Sequence, residues 1–416
     1  MIYHNNNNNM TYHQVPSINL FIRPEHIKLT FRKHEEYTNY ISLTLAQYLN
    51  KVKKRINKYP EEWDNIKRIT NSYEYIHTII PHSKHSISKI KPLSRAFFKL
   101  IEMCNTFDLF NEGSESINSF HLAEGPGGFI EAATYLRYNT NDKYYGMTLI
   151  DQENDNVPGW NKSILFLKKN KNVIIENGID GTGDLYSHQN FKHCYDSHKN
   201  SMDFITADGG FDFSVDFNKQ EAMALRLIFT EVMYAVIMQK KGGNFVLKMF
   251  DTFLKSSIDI IFMLSSLYSE VYITKPDTSR TANSERYIVC KGFKLDDSSY
   301  LFDKLYHTLI MLNNSQIDDL TIESIIDVPL PYKFKISIAE VNSILGNQQI
   351  DNILTTMRFI ENKERKGEKI NIIRTGNIQK CVAWCIKNKI PYNKTANTGN
   401  IFMTNRKMKP SINKTL

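Results

Sequence analysis

The sequence has no apolar run approaching the roughly 18 residues that a membrane span requires, which excludes a transmembrane anchor. Its opening, MIYHNNNNNMTYHQ, lacks the basic n-region and the apolar h-region of a secretory signal, and the Asn run predicts a disordered tail over residues 1–20. Cysteine is sparse. Cys104, Cys194, Cys290, Cys381 and Cys385 form an odd set without a paired framework, which predicts a reducing, intracellular setting, cytoplasm or nucleus. No internal repeat is present.

What remains is ordinary globular material, 41% hydrophobic and 23% charged over 416 residues, enough for one large core with smaller flanking segments. Its net charge of +8 is unevenly spread. Residues 1–90 carry 13 Lys+Arg against 7 Asp+Glu and residues 331–416 carry 16 against 5, so the stretch between them is acidic. Basic flanks suit an enzyme that handles a polyanion, because Lys and Arg on phosphates supply affinity through counterion release. Solvated helix faces would look the same.

From about residue 115 to residue 295, short β-rich runs alternate with helical stretches, which predicts an α/β fold with a mainly parallel sheet covered on both sides. The expected strands are Ser119–Ala123, Lys143–Ile150, Asn172–Gly178, Met202–Asp208, Asn244–Phe250, Glu270–Pro276 and Arg286–Phe293. A helix is expected from Gln220, with Leu225, Ile228, Phe229, Val232, Ala235 and Val236 at helical spacing, stopped by Gly242 and Gly243. Another is expected over about Phe253–Tyr268. Only DTSRTANSE joins the last two strands, too short for a crossover helix, so they should pair antiparallel. A dinucleotide-binding sheet would need a helix there; an antiparallel last strand is typical of the Rossmann-like class I methyltransferases. The flanks, residues 21–90 with the cluster KVKKRINK and residues 329–416, read as basic and mainly helical around a central domain over 91–328.

FHLAEGPGGFIEAA passes from a strand through a glycine turn into a helix. Glycines there let backbone approach a ligand closely. The spacing is not G-x-G-x-x-G, and Pro126 removes an N–H that a pyrophosphate would use, which favours S-adenosylmethionine over a dinucleotide. Glu124, Gly125, Pro126, Gly127, Gly128 and Phe129 are the expected cofactor contacts. Asp184, in GIDGTGDLY, is a candidate acceptor for an adenine amino group, while Glu124 either meets the amino-acid end of the cofactor or orients the turn. Asp151 has no firm register and is not assigned.

The segments SRAFFKL (Ser94–Leu100), LAEGPGGF, TADGG, FVLKMF and NSERYIVC, in this order and spacing, resemble the RrmJ/FtsJ-type RNA 2′-O-methyltransferases over roughly Lys91–Phe293. TKPDTSRTANSERYIVCKGF, EGPGGFIEA and the DGTGD loop are nearest to the cap-specific mRNA enzymes of eukaryotes and large DNA viruses. The resemblance implies methylation of a ribose 2′-hydroxyl on capped mRNA by a Lys-Asp-Lys-Glu set, here Lys99, Asp208, Lys248 and Glu285, with no metal. Asp208 would also face the cofactor's sulfonium. A ribosomal or transfer RNA substrate is the first alternative, and a catalytically idle RNA-binding subunit that stimulates a partner is the second.

A free lysine, with a pKa of about 10.4, is a poor base at neutral pH unless burial and a neighbouring cation lower that value. Lys248, at a strand end, is the expected proton acceptor, with Lys99 as its cationic neighbour. Asp208 would orient Lys248, and Glu285 would hold Lys99 or the hydroxyl. His188, His193, Cys194 and His198 match no zinc-site spacing well and are expected in a polar loop near the substrate groove. Cys381 and Cys385 are expected to pack in a helix. No aromatic pair for stacking a methylated guanine can be chosen from Trp63, Trp160, Trp384 and the rest. Asn and Ile enrichment hints at an AT-rich genome such as that of a large DNA virus.

Overall fold

A computed structural model describes residues 10–33, 38–110, 116–151, 153, 157–210, 218–314, 320–362 and 367–394. The chain divides into two compact units, Met1–Lys58 with Pro92–Leu354, and Tyr59–Lys91 with Thr355–Leu416.

The first unit is built on an eight-stranded sheet. Its strands are β1 (Tyr12–Gln14), β3 (Asn118–Leu122), β4 (Lys143–Met147), β5 (Val173–Ile175), β6 (Met202–Ala207), β7 (Gln239–Phe250), β8 (Tyr268–Thr274) and β9 (Glu285–Phe293), in the order β1-β8-β9-β7-β6-β3-β4-β5. Neighbours from β7 to β5 are parallel, whereas β9 is antiparallel to both β7 and β8. That is the outcome expected from the short link between the last two strands, since only a crossover helix can return the chain for a parallel pairing. The helices of this unit are α1 (Leu43–Lys54), α3 (Ala96–Phe107), α4 (Gly128–Arg137), α5 (Ile164–Lys169), α6 (His188–His198), α7 (Gln220–Met238), α8 (Lys255–Leu267) and α9 (Phe302–Leu312). Helix α7 is apolar on nearly every face and accordingly buried, with Leu225, Phe229, Val232 and Val236 in the main core.

Three expectations are corrected. Gly242 and Gly243 do not stop α7, which ends at Met238; they lie inside β7, where Gly242 takes φ +79 and a Cβ on Gly243 would stand 2.8 Å from the Asp203 carbonyl oxygen. Within the tail expected to be disordered, residues 12–14 form β1, antiparallel to β8, and Val15 is buried; residues 1–9, including the Asn run, lie outside the described residues. An otherwise open strand edge offers unpaired N–H and C=O groups, and this short segment covers it. Residues 21–90 are also not uniformly helical, because β2 (Ile27–Lys33) pairs antiparallel with β10 (Leu320–Ile326) in a separate two-stranded sheet. The Asp259 carboxylate on α8 anchors that sheet by accepting from the Ile325 backbone N–H at 2.9 Å.

The second unit contains α2 (Pro60–Thr70), the end of α10 (Tyr332–Glu361) and α11 (Gly367–Lys387). The Asn377 side chain donates to the Ile69 carbonyl at 2.8 Å, and Thr70 and Thr356 hydroxyls meet at 2.7 Å. Cys381 and Cys385 are fully buried on α11 beside Trp384. The domain division expected from sequence, 91–328 between two flanks, thus differs from the structural one, in which α1, β1 and β2 belong with the central sheet. Among the described residues no helix is long and apolar enough to cross a membrane.

Candidate active site

The register of the sheet determines where the four predicted side chains meet. Ala207 lies beside Leu247 in the parallel β6–β7 pair, so Asp208 and Lys248 emerge together at the carboxyl edge of the sheet. Because β9 runs the opposite way, its first residue reaches the same edge: Phe250 pairs with Glu285, and Lys248 with Tyr287. Lys99 arrives from α3, an apolar helix whose Phe97, Phe98, Leu100 and Ile101 are buried.

The four form two ion pairs. Lys99 Nζ lies 2.7 Å from Glu285 Oε1, and Lys248 Nζ lies 3.2 Å from Asp208 Oδ1 while donating to the Asp208 carbonyl at 2.7 Å. Tyr287 joins the pairs. Its hydroxyl donates to Asp208 Oδ1 at 2.8 Å and accepts from Lys99 Nζ at 3.3 Å. Ser279 Oγ donates to Glu285 Oε1 at 2.7 Å.

Burial, the largest influence on Lys99, pulls its ammonium below the ordinary lysine value against the opposing pull of Glu285 and Asp208. Burial also depresses Lys248, but Asp208, Glu285 and Glu231 together outweigh it, and the net shift is upward. This corrects the expectation that a cationic neighbour lowers Lys248. The charge of Lys99 is matched by Glu285 at contact distance, so the field at Lys248 is set mainly by carboxylates. Burial by itself would raise Glu285, yet Lys99, Lys248 and Lys275 hold its carboxyl well below the usual range.

The glycine turn lies between β3 and α4. Gly127 takes φ +106, a conformation that side-chain-bearing residues resist, and a Cβ on Gly125 would stand 2.9 Å from Thr148 Oγ1. Glu124 does not point at an open helix end. Its Oε1 accepts from the Phe129 and Ile130 backbone N–H groups, both at 2.8 Å, capping α4 from inside. The N–H donors at the helix N-terminus are thereby taken by the protein's own carboxyl group, which suits a cofactor without a phosphate. Burial pushes that carboxyl up to about 8 despite these bonds.

Two further segments adjoin the turn. A Cβ on Gly209, next to Asp208, would stand 3.1 Å from the Ala123 Cβ, and one on Gly183 would collide with the Thr148 carbonyl. Thr148 therefore touches both Gly125 and the loop that carries Asp184. In that loop Asn190 and Asp180 hold Thr182, and Asp184 Oδ1 accepts from the Tyr186 N–H at 2.9 Å. Asp184 is half-buried, with its carboxyl raised by burial. Asp151, just past β4, is exposed.

Residues 92–293 match the family model described as FtsJ-like methyltransferase. These residues form an FtsJ-like methyltransferase domain. Similar proteins include a Drosophila melanogaster "Cap-specific mRNA (nucleoside-2'-O-)-methyltransferase 2", 27% identical over 66% of this chain and 40% of its own length. A Mus musculus "Cap-specific mRNA (nucleoside-2'-O-)-methyltransferase 1" is 29% identical over 65% and 34%, and its Homo sapiens counterpart 33% identical over 50% and 27%. The chain thus spans two fifths or less of these curated relatives.

Around the FtsJ-like site, three contributors escaped the sequence reading. Tyr287 follows Glu285 at the i+2 spacing that puts both on one face of a strand, a signal that was available. Glu102, one turn beyond Lys99 on α3, accepts from the Asp277 and Thr278 N–H groups at 2.8 and 3.2 Å and so anchors the segment leading to Glu285. Glu231, a lone acid in the apolar run of α7, accepts from the Gly209 N–H at 3.1 Å, with its carboxyl pushed by burial up to about 8. The histidine-rich stretch is the helix α6 rather than a loop: Cys194 packs in the core, and His193 and His198 lie 3.4 and 3.3 Å from Glu176. Among the described residues no group of three His, Cys, Asp or Glu is arranged to hold a metal ion.

Proposed function

We propose that this chain transfers a methyl group from S-adenosylmethionine to a ribose 2′-hydroxyl of RNA, with a cap-proximal nucleotide of mRNA as the substrate. One observation carries the reading: the pairs Lys99–Glu285 and Lys248–Asp208 stand together, bridged by Tyr287, at the sheet edge beside the glycine turn. The relatives, cap-specific mRNA methyltransferases, favour a capped transcript as the substrate.

Methyl transfer to a hydroxyl oxygen is an in-line displacement that needs the nucleophile positioned and its proton removed as the bond forms. When bound, S-adenosylmethionine supplies an electrophilic methyl on a cationic sulfonium. Gly125, Pro126, Gly127, Gly128 and Phe129 form the close backbone approach to it, Glu124 holds that turn in shape, and Asp184 receives the adenine amino group. Lys248 takes the hydroxyl proton once it is itself deprotonated; the carboxylates that raise its value are offset, in the loaded site, by the positive charge that Asp208 faces. Asp208 aims Lys248 through two contacts, and also offers its carboxylate to the positive charge of the cofactor. Lys99, fixed by Glu285, is the cation against which the ribose oxygen develops its negative charge. Protonation within so tight a group belongs to the coupled set rather than to single residues.

The test compares capped and uncapped transcripts of identical sequence, incubated with labelled S-adenosylmethionine, followed by nuclease digestion and mass mapping. The expected product is a 2′-O-methyl group on a cap-proximal nucleotide of the capped RNA alone. Equal labelling of both transcripts would move the substrate to another RNA class, and binding of RNA and cofactor without transfer would leave an idle stimulatory subunit.

A further inference from the structure

The strand that carries Lys248 leaves the site through Asp251, three residues on, whose backbone takes φ +48 and whose N–H donates to the Ser284 carbonyl at 3.1 Å. Ser284 directly precedes Glu285. The ends of the two site-bearing strands are thus tied by backbone at their last described pairing, and the Asp251 side chain continues the tie. Its Oδ2 lies 2.8 Å from Lys53 Nζ on α1, and its Oδ1 accepts from Arg286 Nη2 at 3.1 Å. Arg286, the residue after Glu285, sends Nη1 to Thr252 Oγ1 at 2.9 Å and to Asn342 Oδ1 at 2.8 Å. Asn342, on α10, returns Nδ2 to the Thr252 carbonyl at 2.7 Å. One helix turn further along α10, and then another, Gln349 donates to the Ala282 carbonyl at 2.9 Å, in the segment just before Ser284.

The side chains of Lys53, Asp251, Thr252, Arg286 and Asn342 are all buried, Arg286 at 2% exposure and Asn342 at 0%. Arg286 Nε has no hydrogen-bond partner among the described residues, but both of its terminal nitrogens do, and buried polar groups so tied favour one arrangement of the backbone around them, because any other leaves more charge or amide unpaired in a medium of low dielectric. Among the described residues, none of these five forms a side-chain hydrogen bond or ion pair with the side chains of Lys99, Asp208, Lys248 or Glu285. Two of them, Lys53 and Asn342, lie outside the FtsJ-like segment 92–293. The flanking helices therefore reach the frame of the site from outside the family core.

We propose that Lys53, Asp251, Arg286 and Asn342 are positioning residues: through them α1 and α10 hold the ends of β7 and β9 together and set the spacing between Lys248 and Glu285. The role in catalysis rests on the methyl-transfer reading above, whereas the tie itself can be read without substrate. Lys53 is the residue to change, since Lys53→Met keeps the length of the side chain and removes its charge, and Lys53→Arg is the conservative rescue.

Hydrogen–deuterium exchange of the full chain is expected to be at least about fivefold faster across residues 248–254 and 284–287 in Lys53→Met, unchanged across β3 and β4, and restored in Lys53→Arg. Asn342→Ala should give the same pattern. Unchanged exchange at both segments in both variants would overturn the tie. In methyl transfer, kcat of Lys53→Met should fall at least about tenfold with the KM for S-adenosylmethionine within about twofold. A wild-type kcat, or equal losses in kcat and cofactor affinity, would overturn the positioning role. A wild-type chain that transfers no methyl group would count against the proposed function, with the exchange result still deciding the tie.

Discussion

Replacing Glu285 with Gln removes one charge and little volume from the buried pair with Lys99, whose side chains are 9% and 11% exposed. Two unit charges about 4 Å apart at an effective dielectric of about 20 attract by about 4 kcal/mol. Breaking a buried pair by deleting one partner typically costs about 3–5 kcal/mol, since the other charge is left unmatched. Glu285→Gln should therefore lose several kcal/mol in chemical denaturation, and Lys99→Met/Glu285→Gln should recover most of that loss without recovering activity. The effect on Lys99 has a definite sign. Burial already lowers it, and Glu285 is the foremost influence opposing that shift, so the variant holds a neutral Lys99 over more of the pH range. If Lys99 must be cationic, the residual rate of Glu285→Gln, measured in single turnover at saturating cofactor, rises as the pH is lowered. A reaction limited by deprotonation of Lys248 rises in the opposite direction. A variant with the wild-type rate and pH profile would refute the assignment of Lys99 as the site's cation.

Lys248→Ala should abolish transfer while calorimetry finds cofactor binding nearly intact, and full activity in that variant would sink Lys248 as the proton acceptor. Tyr287→Phe removes a hydrogen bond to a charged group, worth about 1.5–3 kcal/mol, and should cost roughly tenfold or more in kcat; an unchanged rate would make the bridge irrelevant to catalysis. Gly127→Ala forces a side chain onto φ +106 and should weaken S-adenosylmethionine binding and lower stability by about 1 kcal/mol or more, with unaltered cofactor affinity as the contrary result. His121, buried between Ser119 and Thr206 hydroxyls, is pushed by burial down to about 3. The unfolded chain, with a His value near 6.5, then binds the extra proton first, so stability present above about pH 6.5 is lost as the pH falls towards 3, by up to about 5 kcal/mol. His121→Gln should flatten that acid limb in denaturant titrations, and an identical limb would refute the linkage.

The alternation of short β-rich and helical runs was enough to locate the strands β3 to β9, and the brevity of DTSRTANSE was enough to reverse β9, because period and loop length are local properties of a chain. Asp208 and Lys248 were legible at strand ends for the same reason. Lys99 and Glu285 were legible only through resemblance, since no local rule brings an α3 lysine to the start of β9. Other features depended on partners far away in sequence. Tyr12 to Gln14 become a strand only because β8 leaves an open edge, and Gly242 and Gly243 sit in β7 rather than at a helix end because β7 starts at Gln239, beside Met202. Lys248 has its value raised rather than lowered because three carboxylates from β6, β9 and α7 surround it. Such sums over distant groups are decided by tertiary packing, and so is the clamp of Lys53 and Asn342 on Asp251 and Arg286, whose members are spread from α1 to α10 with no spacing to announce them.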